Sequence, residues 1–176
     1  MMNELNDLQV SGEIVNRVAN SNLQVFNLED LYDPHERVVL DIKDQLYMGM
    51  ILREKDFREF IKNHDFTQYK DKNVAITCSA DAIVPTWAYM LLAAKLEGIA
   101  HYFVFGTLDD LERALYQKAL SEVDWEKYAN QKVVVKGCSK VKVPVYAYVE
   151  ATRRLRAVAE KIMYGEPCST VPIFKK

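Results

Sequence analysis

Residues 65–89 read DFTQYKDKNVAITCSADAIVPTWAY, and residues 124–148 read DWEKYANQKVVVKGCSKVKVPVYAY. Aligned with two small gaps, the two stretches share Asp, Tyr, Cys-Ser and Val-Pro at matching places. In each stretch a short apolar run leads to a cysteine, and a proline then opens an apolar helical pattern. A run that is too short for a helix and rich in valine or isoleucine is typical of a buried strand. The sequence therefore predicts an internal repeat of strand, loop and helix at 65–89 and 124–148.

Outward from these two copies, the pattern continues to alternate between strands and helices. Strands are predicted at 37–42, 48–52, 73–77, 101–105, 133–135 and 171–174. Helices are predicted at 53–64, 86–97, 108–120 and 144–164. Parallel strands need helical crossovers, so this order predicts an α/β fold. We expect a single layered domain with a mixed, largely parallel sheet flanked by helices, in which 37–42 and 48–52 pair as an antiparallel hairpin.

The length and composition are those of an ordinary globular chain. It has 176 residues, of which 49% are hydrophobic and 27% are charged. A chain of this size buries one sizeable core, so we expect one domain over residues 13–176. Residues 1–12 are polar and aperiodic, which predicts a flexible N-terminal arm before a short helix at 14–19.

Charge and hydropathy exclude two classes of partner. The formal net charge is −2 and no run of basic residues occurs, so we expect no nucleic-acid partner. The N-terminal residues lack the pattern of a signal peptide, and no apolar segment is long enough for a membrane span. We therefore expect a cytoplasmic protein without a membrane partner. A homodimer is the assembly expected from the general frequency of such assemblies.

All three cysteines stand in a Cys-Ser…Val-Pro phrase, at Cys78, Cys138 and Cys168. An odd number of cysteines without an export signal indicates reduced thiols. Two of them follow predicted strands, at the carboxyl edge where α/β sheets bind ligands. Three thiolates suit zinc or an iron–sulfur cluster, because soft sulfur selects these metals. The fourth-ligand candidates are Asp81, His64 or Glu166.

Two other interpretations of the cysteines stay open. No C-x-x-C pair occurs, and free cysteines often pack as small buried hydrophobes, which would fit a protein-interaction module with structural cysteines. A cysteine-dependent enzyme is the third hypothesis, although the sequence shows no partner base. Neither His35, in a turn, nor His101, at the start of a strand, has a partner visible in the sequence. Catalytic residues are therefore not assigned.

Several phrases together resemble one protein family. They are EIVNRVANS at 13–21, ILREKDF at 51–57, NHD at 63–65, TCSADAIVPTWAY at 77–89, KGCSK at 136–140 and MYGEPCSTVP at 163–172. They resemble an uncharacterised bacterial family defined only as a domain of unknown function, and the likeness covers nearly everything from Glu13 onward. The resemblance implies genes next to those of Suf-type iron–sulfur cluster assembly, and hence iron–sulfur assembly proteins as partners. We therefore expect a metal-binding accessory protein.

Overall fold

The computed structural model describes residues 23–137 and 140–176. The predicted arm at 1–12, the predicted helix at 14–19 and Cys138 lie outside the described residues. The strands are β1 (Leu23–Asn27), β2 (Arg37–Asp41), β3 (Asn73–Thr77), β4 (Tyr102–Phe105), β5 (Lys132–Lys136), β6 (Lys161–Glu166) and β7 (Ser169–Lys175). The α-helices are α1 (Glu54–Asn63), α2 (Thr86–Leu96), α3 (Leu108–Ser121) and α4 (Val145–Val158). Within these residues, no helix is long and apolar enough to cross a bilayer.

The strands form two sheets. Sheet A has the order β1-β5-β6-β7, and sheet B has the order β2-β3-β4. Every pairing is parallel except that of β6 with β7, which is antiparallel. The predicted α/β class with largely parallel pairing is therefore confirmed. The strands are divided between two sheets, whereas the sequence pattern alone indicated one.

Helix α3 connects the two sheets. Leu111 and Leu115 pack with Ala75 of β3, on sheet B. Tyr116 and Leu120, from the same helix, belong to the core cluster of sheet A. Burial of apolar side chains on both sides of one helix stabilises both layers at once. The connection from β4 to β5 therefore also carries the chain from sheet B to sheet A.

The two predicted repeat copies have matching local backbones. Asp65 and Asp124 each cap a 3-10 helix by accepting a backbone N–H two residues later. Asp71 and Asn130 then both adopt φ of 57°. These are the residues in which a left-handed conformation costs least after glycine. The similarity concerns local conformation, so the duplication itself stays a prediction.

Two predicted elements are wrong. Residues 48–50 form a turn in which Met48 and Gly49 have positive φ, and Ile51 forms isolated bridges to Tyr47 and Ile83. A chain reversal of this kind uses the left-handed backbone that glycine adopts without strain. The expected hairpin is therefore absent from this segment, and β2 pairs in parallel with β3 instead.

The helix predicted at 144–164 ends at Val158, and the chain then enters strand β6. Ile162 and Met163 are buried in β6, although their spacing from Leu155 also fits a helical stripe. A short apolar stretch does not distinguish the two periods, and here pairing with β5 decides for a strand. The predicted edge strand at 171–174 is confirmed as part of β7.

Replacing Gly165 by alanine should destabilise the β6–β7 hairpin. Gly165 has φ of +120°, and an added Cβ would lie 2.6 Å from the Ser169 carbonyl oxygen. Backbone strain of this kind predicts a loss of about 3 kcal/mol in the free energy of unfolding, measured by urea denaturation. Gly98→Ala is the matched control, because φ is +74° there and nothing lies within 4 Å of the added atom. It should lose about 1 kcal/mol, and equal losses for the two variants would contradict the prediction.

Candidate functional site

The first predicted ligand, Cys78, begins the loop that follows β3. Its side chain is half-buried, and Sγ lies 3.8 Å from the Ala80 carbonyl oxygen. Ser79 donates its backbone N–H to Asp41 over 3.1 Å and its hydroxyl over 2.5 Å. Burial would raise the pKa of Asp41, but these hydrogen bonds lower it. The serine after Cys78 therefore fastens the loop to the end of β2.

The predicted ligands of the other sheet lie at its carboxyl edge. Lys136, the last residue of β5, reaches Glu166, the last residue of β6, with Nζ 3.2 Å from Oε2. Cys168 is exposed in the connection from β6 to β7. Cys138 comes two positions after Lys136 in the sequence but lies outside the described residues. Glu166 and Cys168 therefore share an edge that Cys78, on sheet B, does not.

A tyrosine from the following helix lies against each cysteine loop. Burial raises the pKa of Tyr89, and the charges of Cys78 and Asp41 raise it further. In sheet A the hydroxyl of Tyr148 lies so close to Gly137 that an added Cβ there would come within 2.7 Å of it. These two matched tyrosines therefore border Cys78 after β3 and Gly137 after β5.

A cleft of about 390 Å³ opens beside the carboxyl edge of sheet A. Its walls come from α4, β5, β6 and β7, and they are mainly apolar. The lining includes Val135, Val143, Tyr148, Tyr164 and Ile173. A cleft of this volume at the carboxyl ends of parallel strands is typical of a ligand site in an α/β protein.

The remaining fourth-ligand candidates lie apart from that edge. His64 ends α1, with Nε2 3.0 Å from the Tyr69 hydroxyl and its ring against Phe60 and Phe66. Burial lowers its pKa. His64 therefore belongs to an aromatic cluster near the amino end of β3. Asp81 is exposed in the Cys78 loop. Among the described residues, neither Cys78 nor Cys168 joins a group of three metal-ligating side chains.

A different cluster of ligating side chains lies at the amino edge of sheet B. Asp33 and His35 lie in the turn before β2, and His101 directly precedes β4. Asp33 Oδ1 is 2.9 Å from His35 Nδ1, and Asp33 Oδ2 is 3.0 Å from His101 Nε2. The two imidazole rings stack, with centroids 3.6 Å apart and planes 12° from parallel. One carboxylate thus bridges the two histidines. The sequence pattern alone had shown no partner for either of them.

Buried polar contacts hold this cluster in place. Asn73, the first residue of β3, is fully buried and donates Nδ2–H to Asp33 Oδ1 over 2.8 Å. Arg37 donates to the carbonyl oxygens of Asp33 and His35, and its Nε lies 2.5 Å from Glu112 on α3. Charge-assisted bonds of this kind are stronger than neutral ones. The turn is therefore held both to strand β3, through Asn73, and to helix α3, through Arg37 and Glu112.

The same contacts set the protonation of Asp33. Burial alone would raise the pKa of its carboxyl. Hydrogen bonds from the His35 backbone, Asn73 and the His35 ring, together with the charge of His101, outweigh burial and lower this pKa to about 2. Asp33 is therefore ionised throughout the physiological range.

The sequence does not indicate this cluster because its parts are distant in the chain. The strand register aligns Arg37 with Asn73 and Asn73 with Tyr102. The residues that precede β2 and β4 therefore lie level with each other at the amino edge of the sheet, close enough to contact across the start of β3. The only local signal is the Asp33-Pro34-His35 turn, since aspartate in such turns often accepts a backbone N–H two residues on, as Asp33 does from His35.

A family model described as "Protein of unknown function (DUF2480)" matches residues 12–176. No curated protein matches the chain, and no solved structure matches it either.

Asp33→Asn should alter the acid stability of the protein. Because the folded pKa of about 2 lies below the ordinary 3.8, the ionised carboxylate stabilises the fold above about pH 4. That contribution, about 2 kcal/mol, is lost as the pH falls towards 2. The difference in unfolding free energy between the wild type and Asp33→Asn should therefore shrink between pH 5 and pH 2 in urea titrations. A difference that stays constant over this range would contradict the assignment.

Proposed function

The chain belongs to the family of unknown function DUF2480, and we propose that it is a cytoplasmic metal-binding accessory protein. Cys138 and Cys168 are the proposed sulfur ligands, and Glu166 is a proposed oxygen ligand. The metal is zinc or an iron–sulfur species, since thiolate ligands favour both. The proposed partners are iron–sulfur assembly proteins, because the sequence resemblance implies that gene context.

The observation that supports this site most strongly is the ion pair between Lys136 and Glu166. It brings the ends of β5 and β6 together over 3.2 Å, and neighbouring strands lie about 4.8 Å apart. Cys138 and Cys168 each follow one member of this pair by two positions in the sequence. Two thiols that follow adjacent strand ends are suited to bind one metal.

The exposure of the site fits an accessory protein that exchanges its metal. Cys168 is exposed, and so is Glu166. A ligand set at the surface allows a partner protein to approach the metal. In a purely structural zinc site, four protein side chains usually fill all the coordination positions. The adjoining apolar cleft offers surface for such an encounter. When the metal binds, Glu166 gives up its ion pair with Lys136 and becomes a ligand of the metal.

Cys78 is assigned a different role from the other two cysteines. It is half-buried at the end of β3, packs with the core cluster of sheet B, and makes its sulfur contact to Ala80. A free cysteine in such a position behaves as a small hydrophobe. The proposed metal site therefore contains two of the three thiols that the sequence pattern grouped together.

Co²⁺ titration of anaerobically purified protein tests this proposal. Thiolate ligation produces a sulfur-to-cobalt charge-transfer absorption, which nitrogen and oxygen ligands do not give. Cys138→Ser and Cys168→Ser should each lower this absorption to about half at saturation and weaken Co²⁺ binding by at least about tenfold. Cys78→Ser is the matched control and should leave the absorption unchanged.

The other outcomes separate the alternatives. A comparable decrease of the absorption in Cys78→Ser would show that all three thiols bind one metal. A wild-type protein without the absorption would rule out a thiolate metal site. Selective alkylation of one cysteine in that metal-free protein would then support a cysteine-dependent enzyme. If none of the three cysteines reacted with the alkylating reagent, the result would support an interaction module.

A further inference from the structure

We infer that Asp33, His35 and His101 form a second metal site, which uses nitrogen and oxygen ligands to bind a first-row divalent cation such as Zn²⁺. This site is at the amino edge of sheet B and shares no residue with the proposed thiolate site. Two histidines and one carboxylate are a recurrent ligand set for zinc and for non-haem iron, and they leave further coordination positions open. The inference does not depend on the function proposed above.

The spacing of the ligand atoms is close to that which a metal requires. One ligand atom from each of the three side chains lies within 4.8 Å of the other two. Zinc bonds to nitrogen and oxygen of 2.0–2.2 Å place tetrahedral ligand atoms about 3.4 Å apart. The contacts of Asp33 with the two rings, 2.9 Å and 3.0 Å, are slightly shorter than this because hydrogen bonds join them. Lengthening these contacts by about 0.5 Å, together with rotation of one imidazole ring, converts the hydrogen-bonded cluster into a ligand set.

Asp33 is already oriented for this purpose. Its Oδ1 accepts hydrogen bonds from the His35 backbone N–H and from Asn73 Nδ2, in addition to the His35 ring contact. Its Oδ2 faces His101. Bonds from a buried amide and the backbone fix a carboxylate in one rotamer, as the outer partners of metal ligands do. Oδ2 is therefore the oxygen available to a cation.

The charges around the cluster favour a divalent ion. Asp33 supplies a carboxylate whose two oxygens face the two imidazole rings. The neighbouring cation Arg37 is balanced by Glu112 at 2.5 Å and also donates to the carbonyl oxygens of Asp33 and His35. Both imidazoles are partly open to solvent, with side-chain exposures of 35% for His35 and 32% for His101. A hydrated metal ion can therefore reach them.

Asn73 provides an independent observation. Its Oδ1 is buried, and no described residue donates a hydrogen bond to it. A buried acceptor without a donor costs about 1–3 kcal/mol. The other branch of the same amide binds the Asp33 carboxylate. Water bound to a metal is a strong hydrogen-bond donor, so a hydrated cation held by Asp33 supplies the kind of donor that this amide lacks.

Metal binding has to break the stack of the two rings. The metal-binding lone pair of an imidazole lies in the plane of its ring. Two stacked rings with centroids 3.6 Å apart and planes 12° from parallel therefore cannot direct their lone pairs at one metal ion. One ring must therefore turn. His101 is the ring expected to do so, because it contacts Asp33 through its ring nitrogen, whereas His35 also binds Asp33 through its backbone N–H. The loss of stacking gives the inference a specific spectroscopic readout.

The test is a Zn²⁺ titration of the full-length protein followed by NMR of the histidine ring protons. The chain contains three histidines, and His64 serves as an internal reference in its aromatic cluster. Resonances of His35 and His101 should shift together and saturate, while those of His64 stay in place. Calorimetry should show Zn²⁺ affinity at least about tenfold weaker in His101→Ala, with His64→Gln unchanged.

The thiolate site is excluded from this measurement by repeating it in the full-length Cys138→Ser, Cys168→Ser protein. The histidine response should persist there unchanged. Absence of any saturable histidine shift in both proteins would overturn the inference, as would equal weakening by His64→Gln and His101→Ala. Circular dichroism of His101→Ala checks the fold, and His35→Gln provides a second variant with a side chain of similar size.

Discussion

The parallel pairing of β3 with both β2 and β4 is the constraint on which sheet B depends. Residues 73–76 of β3 are almost completely buried, from Asn73 at its start to Ile76. A strand buried on both faces has to satisfy every backbone group within the sheet. Its register therefore fixes which residues of the neighbouring strands lie level with one another, and it places the turn at Asp33 beside the start of β4.

That register has a chemical consequence at the amino edge. Ligands of α/β proteins usually bind at the carboxyl ends of the strands, and the cysteine pattern predicts a metal site at that edge. The cluster of Asp33, His35 and His101 lies at the opposite edge, where Asn73 supports it from within the sheet. A buried polar residue at the start of a central strand requires a partner. Here that requirement helps to place a carboxylate between two imidazoles.

The crossing of α3 from sheet B to sheet A has the other main consequence for the candidate ligands. It separates Cys78, at the end of β3, from Cys168, which follows β6. Repeated sequence phrases do not reveal such a separation, because they do not show which sheet each phrase belongs to. Cys78 packs with a hydrophobic core cluster, whereas Cys168 is exposed. Equivalent phrases thus place their cysteines in different environments.

The sequence by itself determined the fold class and most of the local elements. The run at 73–77, the helix opened after Pro85 and the proline-containing edge strand β7 all follow from periodicity and from the geometry of proline. Tertiary structure alone decided the division into two sheets, the strand identity of β6, and the meeting of His35 with His101. The physical reason is that hydrophobic periodicity records only which face of an element is buried. Which strands become neighbours, and hence which distant side chains share a site, depends on pairing and packing between elements far apart in the chain.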